Sequence, residues 1–263
     1  MHVDSGGKTA VKSFTEFNSL AHDRVYLVDS QKTETMKPYS DTCLSALLII
    51  SLWLAGCAEW GYRHMNDPAR DAWQKPKQVV ERLDIKEGAR VADLGAGGGY
   101  FTWYLAAAVG PQGKVYAVEI GETALAIIDE EIKSRGVTNV VAVRAQSRDA
   151  KLPEPVDLVF SCDTYHHMED RVAYFQSLAR YLKPDGKVAI LDFHAEGFFS
   201  GLLGHGTTKQ EVRREMESAG YRLAADYDFI DRQHFQIFSR TDAAMATALL
   251  PQGTQSYSVN VAR

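Results

Sequence analysis

VADLGAGGGYF, residues 91–101, runs from an apolar segment straight into glycines at 95, 97, 98 and 99, and then into a helix-forming stretch. Strand, glycine turn and helix in that order build a ligand cradle: glycine reaches positive φ without strain and lets a ligand approach the backbone. The composition of the turn excludes two familiar cradles. No Gly-Lys-Ser/Thr follows, so this is not a nucleotide-triphosphate loop. Counting from Gly95 and Gly97, the third glycine of a dinucleotide fingerprint falls at Tyr100, where a side chain obstructs close helix–strand packing.

Outward from this turn, apolar runs alternate with helical patterns. Strands are expected at 90–95, 114–120, 139–145, 155–162 and 187–193, and helices at 77–85, 99–110, 122–135, 169–182 and 208–219. "YRLAADYDFI" and "QHFQIFSR" close the series as two strands suited to antiparallel pairing. Continuous apolar strands separated by helices imply an α/β, doubly wound, mostly parallel sheet with helices on both faces. Seven strands fit one domain over 77–240, with 57–76 as a linker or lid broken by Pro68 and Pro76, and 241–263 as a tail.

The turn resembles the first motif of class I S-adenosylmethionine-dependent methyltransferases, acidic-x-Gly-x-Gly-x-Gly, here Asp93, Gly95, Gly97 and Gly99 around Ala96. "LPEPVDLVF" and "LKPDGKVAILDF" resemble later family landmarks, with Asp185-Gly186 where two glycines are usual. The resemblance covers roughly residues 77–240. It implies a Rossmann-like methyltransferase fold whose last strand is antiparallel, and S-adenosyl-L-methionine as cofactor. It implies that the glycine turn passes under the methionine and ribose, with Asp93 near the methionyl end. Glu119, ending the second strand, would accept from both ribose hydroxyls, a task that suits a two-oxygen carboxylate. Ile120 would pack on adenine, and Asp149, or else Ser147, would reach the adenine amine.

In doubly wound sheets the ligand lies beyond the carboxyl ends of the strands. The fourth strand is followed by "CDTYHHMED" and the fifth ends in "LDFHAEG", so Asp163, Tyr165, His166, His167, Asp192 and His194 are expected to converge near the transferable methyl. Three readings stand side by side. His166 or His167, with Asp163, acts as a general base, since imidazole titrates near ~6.5. Or the cluster binds a metal that orients the acceptor. Or these residues shape the pocket and stabilise the loop. Upstream, "RDAWQKP" resembles a stretch that precedes the domain in a bacterial subgroup. Arg70 would then meet an anionic group, and Trp73 would either stack as a lid or serve as a surface anchor. Cys162 reads as a small buried hydrophobe rather than a nucleophile.

Residues 43–56 are nearly all apolar, too short for a membrane span of about 20 residues but the length of a signal peptide's apolar region. "LAGC" at 54–57 resembles the lipobox of bacterial lipoproteins, which implies lipidation of Cys57 and a membrane-associated, periplasm-facing protein. The alternative is a cytoplasmic one. "MKPYSDTCLSALLIISLWLAGC" is signal-like from Met36, so 36–56 reads as the signal segment and 1–35 as an upstream or disordered stretch. Three cysteines and a net charge of −5 exclude a disulfide scaffold and argue against nucleic acid as partner. The expected function is methyl transfer to a small-molecule or lipid acceptor. Its rival is a non-catalytic lipoprotein module that keeps the fold.

Overall fold

The structure is a computed structural model that describes residues 59–195 and 206–241. Cys57, the signal-like segment 36–56, and the segments 1–35 and 242–263 lie outside the described residues. Seven strands form one sheet: β1 (Arg90–Leu94), β2 (Lys114–Glu119), β3 (Val140–Arg144), β4 (Val156–Cys162), β5 (Leu182–Phe193), β6 (Tyr221–Tyr227) and β7 (Gln233–Arg240). Their order is β3-β2-β1-β4-β5-β7-β6. The first five run parallel, and β7 is antiparallel to both β5 and β6. The expected doubly wound, Rossmann-like sheet with its antiparallel last strand is therefore the observed one.

Alternation along each strand builds two cores. Val91, Val115, Leu158, Phe160 and Leu191 face helices α2 (Pro76–Leu83), α3 (Tyr100–Val109) and α4 (Glu122–Arg135). Ala92, Leu94, Val118, Val159 and Ile190 face α5 (Arg171–Leu178) and α6 (Lys209–Ser218). Successive strand side chains point to opposite faces, so a sheet covered on both sides needs apolar residues at every position. Phe160 is fully buried, with its ring 4.8 Å from that of Phe101. Burial of such a side chain contributes about 1.5–3 kcal/mol.

The strand expected at 187–193 begins earlier, at Leu182. "LKPDGK" lies inside β5, because both of its flanks pair with β4: Val156 opposes Leu182 and Leu158 opposes Lys187. Residues 183–186 leave the ladder as a bulge, which accommodates extra residues without ending the strand.

Strand order reverses between β1 and β4, whose neighbours in sequence lie on opposite sides. That switch point opens a crevice at the carboxyl edge of the sheet. The segment ahead of the domain covers it. Residues 59–65 are helical, Asp67 caps the short turn Pro68–Arg70 by accepting from Ala69 N, and α1 (Asp71–Gln74) ends at Lys75 in the left-handed conformation. Among the described residues no helix is long and apolar enough to cross a membrane.

Candidate active site

The crevice holds a cavity of about 680 Å³. Its walls come from four places: the end of β1 with the turn and helix start after it, the segment after β4, Phe193 at the end of β5, and the cover formed by residues 64–73. Gly95 and Ala96 donate their N–H groups to Val118 O at 2.8 and 3.1 Å, which anchors the turn to β2. Gly95 has φ +75°, and a Cβ there would lie 2.2 Å from Thr164 Oγ1. The segment after β4 thus closes on the turn only because residue 95 is glycine. Gly98 plays the corresponding part toward the cover. A Cβ there would lie 2.7 Å from Tyr62 O and from Asn66 Nδ2, and Asn66 donates to Gly98 O at 2.6 Å.

Glu119 ties this turn to the end of β2. Its Oε2 accepts from Gly97 N at 3.0 Å, and its Oε1 accepts from Ile120 N and Gly121 N at 2.7 and 3.0 Å. Three backbone donors fix a carboxylate that is 9% exposed. Ile120 beside it is 60% exposed and offers an apolar face on the same flank. Asp93 lines the cavity and accepts from Thr102 Oγ1 at 2.6 Å. Burial pushes its carboxyl up to about 7; the Thr102 hydrogen bond opposes this and the Glu119 charge adds to it.

The segment after β4 brings Cys162, Asp163, His166 and His167 to the same cavity. His166 Nδ1 lies 2.6 Å from Asp192 Oδ1, and the side chains are 5% and 0% exposed. His167 lies beside it, ring centroids 4.0 Å apart. Asp163 adopts φ +53°, a left-handed conformation that aspartate tolerates better than most residues. Its Oδ2 meets Arg70 Nη2 at 3.2 Å and Gln74 Nε2 at 3.4 Å, and its Oδ1 accepts from Gln233. Burial raises its carboxyl to about 6 against the pull of Arg70, with Asp192 adding to the rise. Burial also pushes the Cys162 thiol well above its usual range, which leaves it unreactive as a nucleophile. Trp73 and Phe193 stack with ring centroids 6.0 Å apart as an aromatic wall. Among the described residues no group of three or more His, Cys, Asp or Glu side chains stands placed to hold a metal ion.

Several expected residues sit elsewhere. Tyr165 does not face the acceptor: it is fully buried, donates to Glu215 Oε2 at 2.6 Å and stacks on Phe175. An aromatic with one polar tip suits a core position that provides a carboxylate. Asp192 is set behind His166 rather than in the cavity wall. His194 is also outside the wall, its ring 5.7 Å from that of His234. Asp149 lies off the cavity and is engaged at both oxygens, with Tyr181, Arg180 and Lys151. Burial opposes its ionisation, but those partners outweigh it and hold the carboxyl below its usual range. Ser147 is exposed and also outside the wall. Arg70 does line the cavity, yet its guanidinium is spent on Gln74, Met65 O and Asp163, and it covers the Tyr100 ring at 4.3 Å. It clasps the cover rather than offering an open cation.

Sequence reasoning missed Asn66, Gln74, Thr164, Thr207, Gln233 and His234. Gln74 is fully buried and donates to Cys162 Sγ at 3.2 Å and Gln233 Oε1 at 3.0 Å. An amide in a polar stretch carries no signal of such burial. Asp71 similarly accepts from Tyr100 and Tyr104 hydroxyls at 2.5 and 2.7 Å, fastening α1 to α3.

Comparison with known proteins agrees with this arrangement. A family model described as a methyltransferase domain matches residues 85–229. The demethylmenaquinone methyltransferase of Anoxybacillus flavithermus is 29% identical over 122 residues, 46% of this chain and 51% of that protein. A ubiquinone/menaquinone biosynthesis C-methyltransferase of Ectopseudomonas mendocina is 32% identical over 126 residues, 45% of this chain and 47% of that protein. The chain thus spans about half the length of these curated relatives. A solved SAM-dependent methyltransferase from Aquifex aeolicus superposes with a TM-score of 0.65 at 27% identity, over 70% of this chain and 98% of that one.

Proposed function

The chain belongs to the methyltransferase-domain family, and from that premise we propose that it transfers a methyl group from S-adenosylmethionine to a small, flat, largely apolar acceptor bearing an acidic hydroxyl. One observation carries the reading: a single cavity is lined both by the Asp93–Gly97 turn and by His166, whose Nδ1 Asp192 holds from behind.

The residues present fit the cofactor. Asp93 offers a buried carboxyl to an α-ammonium group, and Gly97 has open space where a Cβ would stand. Glu119 is held with lone-pair capacity left on Oε2 for a ribose hydroxyl, and Ile120 supplies an exposed apolar face for adenine. When bound, the cofactor supplies a methyl group on a positively charged sulfur. The chain's part is to orient, to exclude water and to hold a proton. Trp73 and Phe193, stacked on each other, offer one aromatic wall for a planar acceptor. His166 takes the hydroxyl proton at the ring nitrogen that Asp192 does not use, and Asp192 stabilises the imidazolium. The names of the relatives give quinones as substrates, which share the flat, largely apolar ring, and the Ectopseudomonas protein is named a C-methyltransferase.

Titration of the full-length protein with S-adenosylmethionine, followed by labelled methyl transfer to a reduced naphthoquinone, tests the reading. Micromolar binding is expected. Affinity is expected to fall as pH drops through about 7, because protonation of Asp93 removes the charge that the ammonium meets. A folded protein that binds no cofactor at pH 8 defeats the proposal. Binding without transfer to any hydroxylated ring favours the non-catalytic module instead.

We also propose that Cys57 is lipidated and holds this domain at a membrane surface, a reading supported by the "LAGC" stretch. Mass spectrometry of protein from a bacterial host is expected to find acyl chains on Cys57, and Cys57→Ala is expected to leave the membrane fraction. An unmodified Cys57 in the wild type refutes it.

A further inference from the structure

Asp192 and His234 are register partners across the β5–β7 pair, and Thr207 stands between them. Thr207 Oγ1 donates to Asp192 Oδ2 at 2.8 Å and lies 3.1 Å from His234 Nε2. Asp192 Oδ1 in turn meets His166 Nδ1. Asp192, Thr207 and His234 are 0%, 2% and 0% exposed. We propose that Thr207 and His234 are positioning residues: through Asp192 they fix His166 as the Nδ1–H tautomer, so that Nε2 is the nitrogen that accepts a proton. This rests on the reading of His166 as the base.

Proton counting gives the chain its direction. A carboxylate only accepts, so His166 must donate from Nδ1 and Thr207 from its hydroxyl. Having spent its one proton on Asp192, Thr207 has only lone pairs for His234. His234 must therefore donate from Nε2, which leaves its Nδ1 as an acceptor, and that atom has no hydrogen-bond partner. The opposite tautomer of His234 would orphan a buried N–H and draw the Thr207 proton away from Asp192. Burial pushes the His234 imidazole down to about 4, against the Asp192 charge, so it carries one proton at neutral pH.

The backbone holds Thr207 in place independently of its side chain. Thr207 N donates to Phe193 O at 3.0 Å, and Ala195 N donates to Thr207 O at 3.1 Å. Gly206 has φ +125°, and a Cβ there would come within 2.7 Å of Phe193 O. Close approach of this segment to the end of β5 thus requires glycine at 206. Thr207→Val consequently keeps shape and position while removing one donor.

Long-range ¹H–¹⁵N spectra of histidine-labelled full-length protein report the tautomer directly, with His166 assigned by loss of its peaks in His166→Gln. The wild type is expected to show His166 as Nδ1–H. Thr207→Val removes the anchor on Asp192 Oδ2, so the carboxylate can turn away from His166 Nδ1, and it is expected to lower the ratio of Nδ1–H to Nε2–H by roughly tenfold. Thr207→Ser restores it. His234→Phe is expected to shift the ratio in the same direction, and His234→Gln, which keeps a donor, to shift it less. If Thr207→Val does not fold, the two His234 variants decide. Folded Thr207→Val and His234→Phe with wild-type spectra overturn the relay and leave the base assignment standing. A wild-type His166 protonated at Nε2 overturns both.

Discussion

Glu119→Ala is expected to weaken S-adenosylmethionine binding by roughly 100-fold while the protein stays folded. Two losses add. The first is the charged acceptor for a ribose hydroxyl. The second is the brace on the glycine turn, since the Gly97 N–H loses its partner at 3.0 Å. Hydrogen bonds to a charged group contribute about 1.5–3 kcal/mol each, and ~1.4 kcal/mol is a factor of ten. The low end for both, about 3 kcal/mol, is already about a hundredfold. The fold is expected to survive because Glu119 ends β2 and makes its contacts within the turn rather than in either core. Glu119→Asp is informative beside it: a shorter acid keeps the charge but draws back from Gly97. If the brace matters, the aspartate variant also binds weakly. Calorimetry on the full-length protein reads both, with thermal unfolding as the control. A folded alanine variant that binds as the wild type does removes Glu119 from the cofactor site.

The glycine turn and Glu119 were legible in the sequence for a physical reason. Their chemistry is carried by the backbone and by one strand-end acid, and both are fixed by local structure once β1 and β2 pair in register, Asp93 opposite Ala117 and Leu94 opposite Val118. The strands were legible because a sheet covered on both faces needs unbroken apolar runs. The acceptor side was legible only as a neighbourhood. "CDTYHHMED" places seven polar or aromatic side chains after β4, and nothing local says which turn outward. Asp163 and His166 reach the cavity, while Tyr165 between them goes to Glu215, 50 positions away. The partners of Asp149 were hidden for the same reason: Arg180 and Tyr181 come from beyond α5. Thr207 and His234 depend on which strand lies beside β5 and in what register, information that sequence spacing does not contain. The bulge at 183–186 escaped notice because Pro184 and Gly186 signal a turn whether or not both flanks return to the same neighbour.

The burial of Asp192 behind His166 sets the second large effect. Removing the base by His166→Ala is expected to lower kcat for a hydroxylated-ring acceptor by about 10²–10⁴, the usual share of general-base catalysis. S-adenosylmethionine binding should stay within a few-fold of wild type, because His166 belongs to the segment after β4 and not to the glycine turn or the end of β2. Removing a group used only as the proton leaves should depress kcat while KM changes little. A side chain that merely shapes the pocket would instead raise KM. Asp192→Asn is the partner experiment. The amide can donate to His166 Nδ1, which pushes the proton to the other ring nitrogen and blocks it as base, with the shape kept. Both variants should therefore lose kcat, and the double variant should lose little more than either alone, since the two act as one unit. Losses that multiply, or a loss confined to KM, assign the pair to pocket structure and leave the chemistry to positioning and desolvation alone. Raising the pH separates the outcomes further. An acceptor already ionised in solution no longer needs the base, so the deficit of His166→Ala should shrink as pH passes the hydroxyl's own titration. A deficit that stays constant across that range means that His166 does not handle the acceptor's proton.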